Sequence, residues 1–138
     1  MRHNLITFIL SGMLLLASGA KAEIVNLYCE LSKDKKSTVT FNNTTSNLGN
    51  PISAIEVIID TKKEAIIKAP RVGSPWAKNL HEEIWSSSVI SWGTKPNSID
   101  YLENYYLNRY TLKLKKEVNS VGSLQESYYD CLKTKKKI

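Results

Sequence analysis

Several residue types that enzymes use for chemistry are scarce in this chain. Its 138 residues include two histidines and two cysteines, and its six glycines form no G-x-G segment. A histidine-rich zinc site and a glycine-rich phosphate loop are therefore excluded. The sequence has no G-x-S-x-G segment to support a Ser–His–Asp triad. It also lacks a CxxC pair, which excludes a thioredoxin-type redox site.

Only one hydrophobic run is long, and it lies at the amino terminus. Residues 1–22 read MRHNLITFILSGMLLLASGAKA, with an early arginine, an apolar stretch and an A-x-A ending. The apolar stretch is shorter than the about 20 residues that span a bilayer, and this order of features is that of a secretory signal peptide. We expect a mature chain from Glu23, with cleavage after Ala20 as the alternative. The protein would then be periplasmic or secreted, without a stable membrane anchor.

Basic residues outnumber acidic ones, 19 to 13, but the excess is unevenly placed. Two basic residues belong to the predicted signal, and four lysines lie in the last six positions. The rest of the mature chain is balanced in charge. We interpret residues 23–133 as a single β domain and 134–138 as a solvated basic tail, and we expect no nucleic-acid partner.

The two cysteines lie near the ends of the predicted mature chain. Cys29 follows its start closely, and Cys131 lies just before the basic tail. In an exported protein, an even pair of cysteines favours a disulfide. Such a bond closes a loop of about 100 residues, which the chain-entropy model equates with about 4.7 kcal/mol of stability. We expect it to join the first and last strands and to protect two sheet edges.

Alternation of apolar and polar residues predicts a mainly β fold. The first strand places Val25, Leu27, Cys29 and Leu31 on one face. We expect six to eight strands in an antiparallel meander, curled into a small barrel or half-barrel. Asparagine, threonine and serine dominate residues 42–51, which are predicted to form a loop. Further strands are predicted over 37–43, 52–60, 65–69, 87–93, 104–118 (as two strands or one bent strand) and 124–133.

One short helix is the predicted exception to the β fold. Ser74 and Pro75 form a helix-start signal, because a capping residue precedes a proline. Trp76, Leu80 and Ile84 then recur every four residues. These features favour a helix over 75–85 against the alternative of an irregular loop.

Four short motifs occur in a fixed order along the mature chain. They are Leu27-Tyr28-Cys29, Ile90-Ser91-Trp92, the segment YLNRYTLKL over 106–114, and Tyr129-Asp130-Cys131. In this order the chain resembles a family of small exported bacterial β domains of uncharacterised function. Their patterns are Y/L-x-C, I-x-W, S/Y-L-N-R-x-T-G-x-L and Y-x-C. The resemblance implies a fold and an exported location, and no activity.

The chain departs from that family pattern at Leu112, where such proteins usually have glycine. Glycine takes the positive φ of a tight hairpin easily and leucine does not. We therefore expect the turn after Arg109 to be wider or displaced in this chain.

Aromatic residues give the strongest functional signal. Trp76 and Trp85 flank the predicted helix, and Arg71 and Lys78 lie nearby. Aromatic side chains beside cations suit contact with sugars or proteins; filling the core of a small sheet is the alternative role. We predict that Trp76, Trp85, Arg71 and Lys78 form a binding patch.

These features favour a monomeric, non-enzymatic protein that binds an unidentified protein or an envelope polymer. We assign it no catalytic residue, no metal site and no cofactor. The adjacent His81, Glu82 and Glu83 do not have the spacing that places two ligands on one helical face. Two alternatives stay open: an inhibitor of a lysozyme-like or other hydrolase, and a hydrolase whose site the sequence does not reveal.

Protein isolated from its native compartment should contain no free thiol, because export would expose Cys29 and Cys131 to an oxidising environment. Alkylation without reductant should leave the intact mass unchanged, and that mass should correspond to a chain starting at Glu23. After reduction under unfolding conditions, two adducts should form. Two alkylated cysteines without reduction would contradict both the export and the disulfide.

Overall fold

The computed structural model describes residues 23–72, 81–94 and 101–135, and their regular structure is entirely β. No helix in these ranges is long and apolar enough to cross a membrane. The ten strands are β1 (Ile24–Leu31), β2 (Thr38–Phe41), β3 (Thr44–Asn47), β4 (Ala54–Asp60), β5 (Ala65–Lys68), β6 (His81–Trp85), β7 (Val89–Thr94), β8 (Tyr101–Asn108), β9 (Lys113–Ser120) and β10 (Ser123–Thr134).

The strands form one antiparallel sheet that is nearly closed into a barrel, which confirms the predicted fold class. The sheet order is β5-β4-β1-β10-β9-β8-β7-β6, so β6 to β10 form a meander. At the seam between the two end strands, the Ile66 N–H of β5 donates to Glu83 Oε1 of β6 over 3.0 Å. The indole N–H of Trp85 donates to the same oxygen. A carboxylate side chain therefore bridges the seam.

The long strand β10 organises the amino-terminal half of the sheet. Its first residues pair with β2, and its last residues pair with β1 on the same side. The polar segment 32–37 interrupts what would otherwise be one continuous strand. Within it, Ser32 Oγ accepts the N–H groups of Asp34 and Lys35, at 3.3 and 3.1 Å. This local turn directs the segment away from the ladder.

The prediction of a loop over 42–51 was wrong in part, because residues 44–47 form β3. Asn42 and Asn43 have φ values of 49° and 65°, as a two-residue hairpin turn between β2 and β3 requires. All four residues of β3 are exposed and polar. The strand therefore carries no apolar alternation that could reveal it in the sequence.

The predicted helix over 75–85 was wrong for its last part, because His81–Trp85 form β6 and pair with β7. Residues 73–80, which include its predicted start, lie outside the described residues. Within β6, Ile84 is exposed and Trp85 is half-buried. This alternation has a period of two, so the four-residue spacing that ends at Ile84 was misleading.

The predicted disulfide between Cys29 and Cys131 is confirmed. The two residues lie opposite each other in β1 and β10, and both are buried. The expectation that these strands would be sheet edges was wrong. β4 and β5 extend the sheet beyond β1, and β9 to β6 extend it beyond β10, so β5 and β6 end this strand order. Among the described strands, β3 is a further edge, because it pairs with β2 alone.

Alternate residues of the strands point into the barrel and form its core. The Trp92 and Tyr105 rings stack with centroids 5.2 Å apart and planes 6° from parallel. The buried Tyr129 donates its hydroxyl to the backbone oxygen of Ile52 over 2.8 Å. The other large side chains that are almost fully buried are Leu27, Ile90, Leu107, Leu114 and Val57.

The hairpin between β8 and β9 has a four-residue connection. The side-chain oxygen of Asn108 accepts the N–H groups of Tyr110 and Thr111, each at 2.9 Å. Leu112 takes a positive φ of 55°. Its N–H bonds to the Asn108 carbonyl. Leucine therefore occupies the left-handed conformation that glycine would adopt more easily.

Replacing Gly93 with alanine should destabilise the fold severely. Gly93 has a φ of +149°, and an added Cβ would lie 2.2 Å from the backbone oxygen of Glu103. We expect Gly93→Ala to lower the free energy of unfolding by about 3 kcal/mol, the upper range for overpacked sites. Gly49→Ala is the control, since nothing lies within 4 Å of its added Cβ. Urea denaturation measures both, and equal stabilities would contradict the close approach of β7 to β8.

Candidate functional site

Two residues of the predicted binding patch, Trp76 and Lys78, lie outside the described residues. The other two, Arg71 and Trp85, have different partners within the fold. Trp85 is half-buried and packs against the core. The guanidinium of Arg109 lies 5.6 Å from the centroid of its ring. The patch as a whole therefore stays a prediction.

Arg71 contacts a buried carboxylate on the inner face of β8. The Glu103 side chain is 8% exposed and that of Arg71 is 42% exposed. Arg71 Nε donates to Glu103 Oε2 over 2.8 Å, and Nη2 donates to Oε1 over 3.3 Å. Tyr101 donates its hydroxyl to Oε1 over 2.6 Å, and Tyr105 donates to Oε2 over 2.9 Å. Each carboxylate oxygen therefore accepts two hydrogen bonds.

This arrangement keeps Glu103 ionised. Burial by itself raises the pKa of Glu103, but the hydrogen bonds from Arg71, Tyr101 and Tyr105 outweigh it and hold the pKa below its ordinary value. Burial, together with the neighbouring carboxylate, raises the pKa of the Tyr105 hydroxyl, which therefore stays protonated. A general acid near neutral pH needs a raised pKa and access to substrate. Glu103 meets neither condition. Its pKa is lowered, and both of its carboxylate oxygens already accept two hydrogen bonds from the protein.

Glu103 and its hydrogen-bond donors instead anchor the segment that follows β5. Arg71 has a positive φ of 70°. The preceding residue, Pro70, accepts the indole N–H of Trp92 at 3.0 Å. Together, the Glu103 ion pair and the Trp92 hydrogen bond fasten residues 70–71 to the inner face of β7 and β8. In the described part of the chain, no group of three or more His, Cys, Asp or Glu side chains could hold a metal ion.

A groove of about 340 Å³ lies on the outer face of β8, β9 and β10. Tyr106, Lys115 and Tyr128 form a row across its floor, because each pairs with the next in the strand register. The turn at 32–35 forms one wall. We call this surface the tyrosine groove; its main lining residues are Lys35, Tyr106, Lys113, Lys115, Tyr128 and Asp130.

The central cation of the tyrosine groove is paired with two carboxylates. Lys115 Nζ lies 2.9 Å from Glu126 Oε2 and 3.2 Å from Glu117 Oε2. The hydrogen bond to Glu126 raises the pKa of Lys115, and the same bond holds the pKa of Glu126 below its ordinary value. Tyr128 also donates its hydroxyl to Glu126, over 2.9 Å. Both the charge and the Tyr128 ring are therefore fixed in position.

The rim of the tyrosine groove carries two further cations. Lys113 Nζ lies 3.2 Å from Asp130 Oδ1, in an exposed ion pair between β9 and β10. Lys35 Nζ lies 4.1 Å from the centroid of the Tyr128 ring. A cation–π contact at an exposed site contributes about 0.5–1 kcal/mol. A ligand ring could therefore displace Lys35 at low cost.

Six of the seven tyrosines of the chain lie between residues 101 and 129, and their positions in the sheet decide which are buried. Tyr105 and Tyr129 are buried, whereas their chain neighbours Tyr106 and Tyr128 face the groove. Successive side chains of a strand point to opposite faces, so Tyr129 shares a face of β10 with the buried Cys131, and Tyr128 lies on the other face. This alternation could have placed Tyr128 on the surface from the sequence alone. Only the strand register, in which both tyrosines lie beside Lys115, shows that Tyr106 and Tyr128 line the same groove.

Comparisons of the chain with protein-family models, with curated proteins and with solved structures find no significant match. The resemblance suggested by the four motifs therefore stays a prediction.

Glu103→Gln should destabilise the protein in a pH-dependent way. At pH 7 we expect a loss of about 2 kcal/mol, in the range for hydrogen bonds to a charged group. Since folding lowers the pKa of Glu103, the carboxylate stabilises the fold above its unfolded pKa of about 4.3 and loses this effect as the pH falls through the folded value. The difference between wild type and variant should therefore shrink in acid.

Urea denaturation between pH 7 and pH 3 tests this expectation. Glu56→Gln is the matched control, because Glu56 pairs with Lys68 on the surface, with side chains 51% and 64% exposed. Exposed pairs contribute about 0–1 kcal/mol, so this variant should unfold much like the wild type. A Glu103→Gln deficit that is constant over the whole pH range would contradict the assigned role.

Proposed function

We propose that this protein is an exported, disulfide-stabilised binding protein without catalytic activity. On this proposal, it contacts a protein or an envelope component through the tyrosine groove. The observation that carries the proposal is a groove in which two tyrosines flank a lysine whose charge is already paired. In such a surface the two rings can contact a partner, while the charge of Lys115 between them is already held by Glu117 and Glu126.

The proposed export is supported by the disulfide and by the character of residues 1–22. Structural disulfides are rare in cytosolic proteins and common in exported ones. Cys29 and Cys131 are both consumed by the bond, and the described residues contain no free cysteine. The basic start, apolar run and A-x-A ending of residues 1–22 agree with this location.

Binding is favoured over catalysis by the state of the buried polar groups. Glu103 accepts four hydrogen bonds, and its lowered pKa is the opposite of what a general acid requires. In contrast, the Tyr128 ring at the surface is held by its hydrogen bond to Glu126 and by the contact with Lys35, and such preorganisation reduces the entropy lost on binding. The tyrosine groove is favoured over the patch at Arg71 and Trp85, because both of those side chains are engaged inside the fold.

The proposal predicts that recovery of a binding partner depends on the tyrosine groove. The mature, oxidised protein should be tagged and used to capture partners from periplasmic and envelope fractions. We expect the double variant Tyr106→Ala/Tyr128→Ala to recover at least about tenfold less partner, which corresponds to about 1.4 kcal/mol. Tyr110→Ala is the control, because Tyr110 is 76% exposed and lies on the β8–β9 turn.

Equal recovery by the wild type, the double variant and the control would remove the groove from the proposed function. Far-UV circular dichroism and thermal unfolding should accompany the capture, since a loss of fold would mimic a loss of binding. The double variant Tyr106→Phe/Tyr128→Phe keeps both rings and should recover the partner nearly as well as the wild type.

A further inference from the structure

The size of the tyrosine groove limits what it can bind. Its volume of about 340 Å³ lies at the lower end of the range for small-ligand sites, about 300–1,000 Å³. A stable protein partner would instead cover about 800 Å² on each side. The groove therefore suits a few rings of a small or chain-like ligand better than the surface of a folded protein.

A second groove continues the first along the outer face of the sheet. It has a volume of about 300 Å³ and lies over β6, β7 and β8. Tyr106 lines both grooves, so the two are adjacent. The second groove adds the exposed Ile84 together with polar groups such as Ser91 and Asn104. The two form a track across five neighbouring strands, which favours an extended ligand over a compact one.

The spacing of the two tyrosines supports a ligand with repeated rings. Tyr106 and Tyr128 lie on either side of β9, which corresponds to two strand spacings, or about 9.5 Å. Sugar rings present an apolar face of C–H groups that can stack on an aromatic ring. Their hydroxyls both donate and accept hydrogen bonds, as the paired Lys113 and Asp130 side chains on the rim also do.

The charges of the groove favour a ligand with little net charge. Lys115 is paired with Glu117 and Glu126, and Lys113 is paired with Asp130. The other two charged residues of the lining, Lys35 and Asp34, have opposite signs. When a polyanion such as a nucleic acid or a phosphate polymer binds, unpaired cations of the protein replace its counterions, which are released into solution. In this groove such a ligand would meet the carboxylates as well.

We infer that the track formed by the tyrosine groove and its neighbour binds a glycan chain of pyranose rings that carries little net charge. This inference rests on the proposed function, and it names the class of envelope component. Tyr106 and Tyr128 would each stack on one sugar ring, and the Lys113–Asp130 pair on the rim would bind hydroxyls at the edge of the glycan.

Binding to three probes tests the inference: chitohexaose and cellohexaose by calorimetry, and purified peptidoglycan by co-sedimentation. We expect at least one of them to bind the wild type, and the two hexasaccharides distinguish acetylated from unmodified sugars. Tyr106→Ala and Tyr128→Ala should each weaken binding about tenfold, or about 1.4 kcal/mol. Tyr106→Phe, Tyr128→Phe and the control Tyr110→Ala should bind like the wild type.

A measurement on the wild type alone guards against variants that fail to fold. On adding the bound oligosaccharide, the ring resonances of Tyr106 and Tyr128 should shift in NMR spectra, and those of Tyr110 should not. Absence of binding to all three probes would overturn the inference. So would shifts confined to Tyr110, or tighter binding to polyphosphate than to any of the three glycans.

The two proposals can fail separately. If no glycan binds but the double alanine variant still loses a captured partner, the inferred ligand class is wrong and the proposed function stands. If capture is also insensitive to both tyrosines, the proposed function fails as well.

Discussion

The pairing of β1 with β10 is the interaction on which the rest of the structure depends. It joins the first described strand to the last described strand near the centre of the sheet, and the Cys29–Cys131 bond makes the junction covalent. One side of β10 pairs with β9, and the other pairs with β2 and then β1. The turn at 32–35 and the floor of the tyrosine groove meet only because this junction sets their register.

The same strands serve the core with one face and the candidate site with the other. Along β8 and β10, Tyr105 and Tyr129 point inward, and Tyr106 and Tyr128 point outward. Inside, the carboxylate of Glu103 accepts four hydrogen bonds, which hold Arg71, Tyr101 and Tyr105 in place. Outside, aromatic rings stand on that rigid base, where a partner can reach them.

Local signals in the sequence predicted the parts of the fold that local physics decides. Alternation identified the strands around Leu27 and Val57, and the cysteine pair predicted the covalent link. β3 was missed because its residues are polar on both faces. The segment that ends near Ile84 was predicted to be helical because residues four apart share a face in a helix and in a strand alike. The sheet edges and the groove depend on pairing between distant segments, which residue patterns along the chain do not encode directly.

The seam between β5 and β6 makes the barrel mechanically uneven. Within the described strands, neighbouring members of the sheet are joined by backbone ladders, whereas these two meet through the Glu83 side chain. Backbone amides along a laddered strand open only with the cooperative unit to which they belong. We therefore expect the amides on the facing edges of β5 and β6 to exchange with solvent faster than those of the disulfide-linked strands β1 and β10.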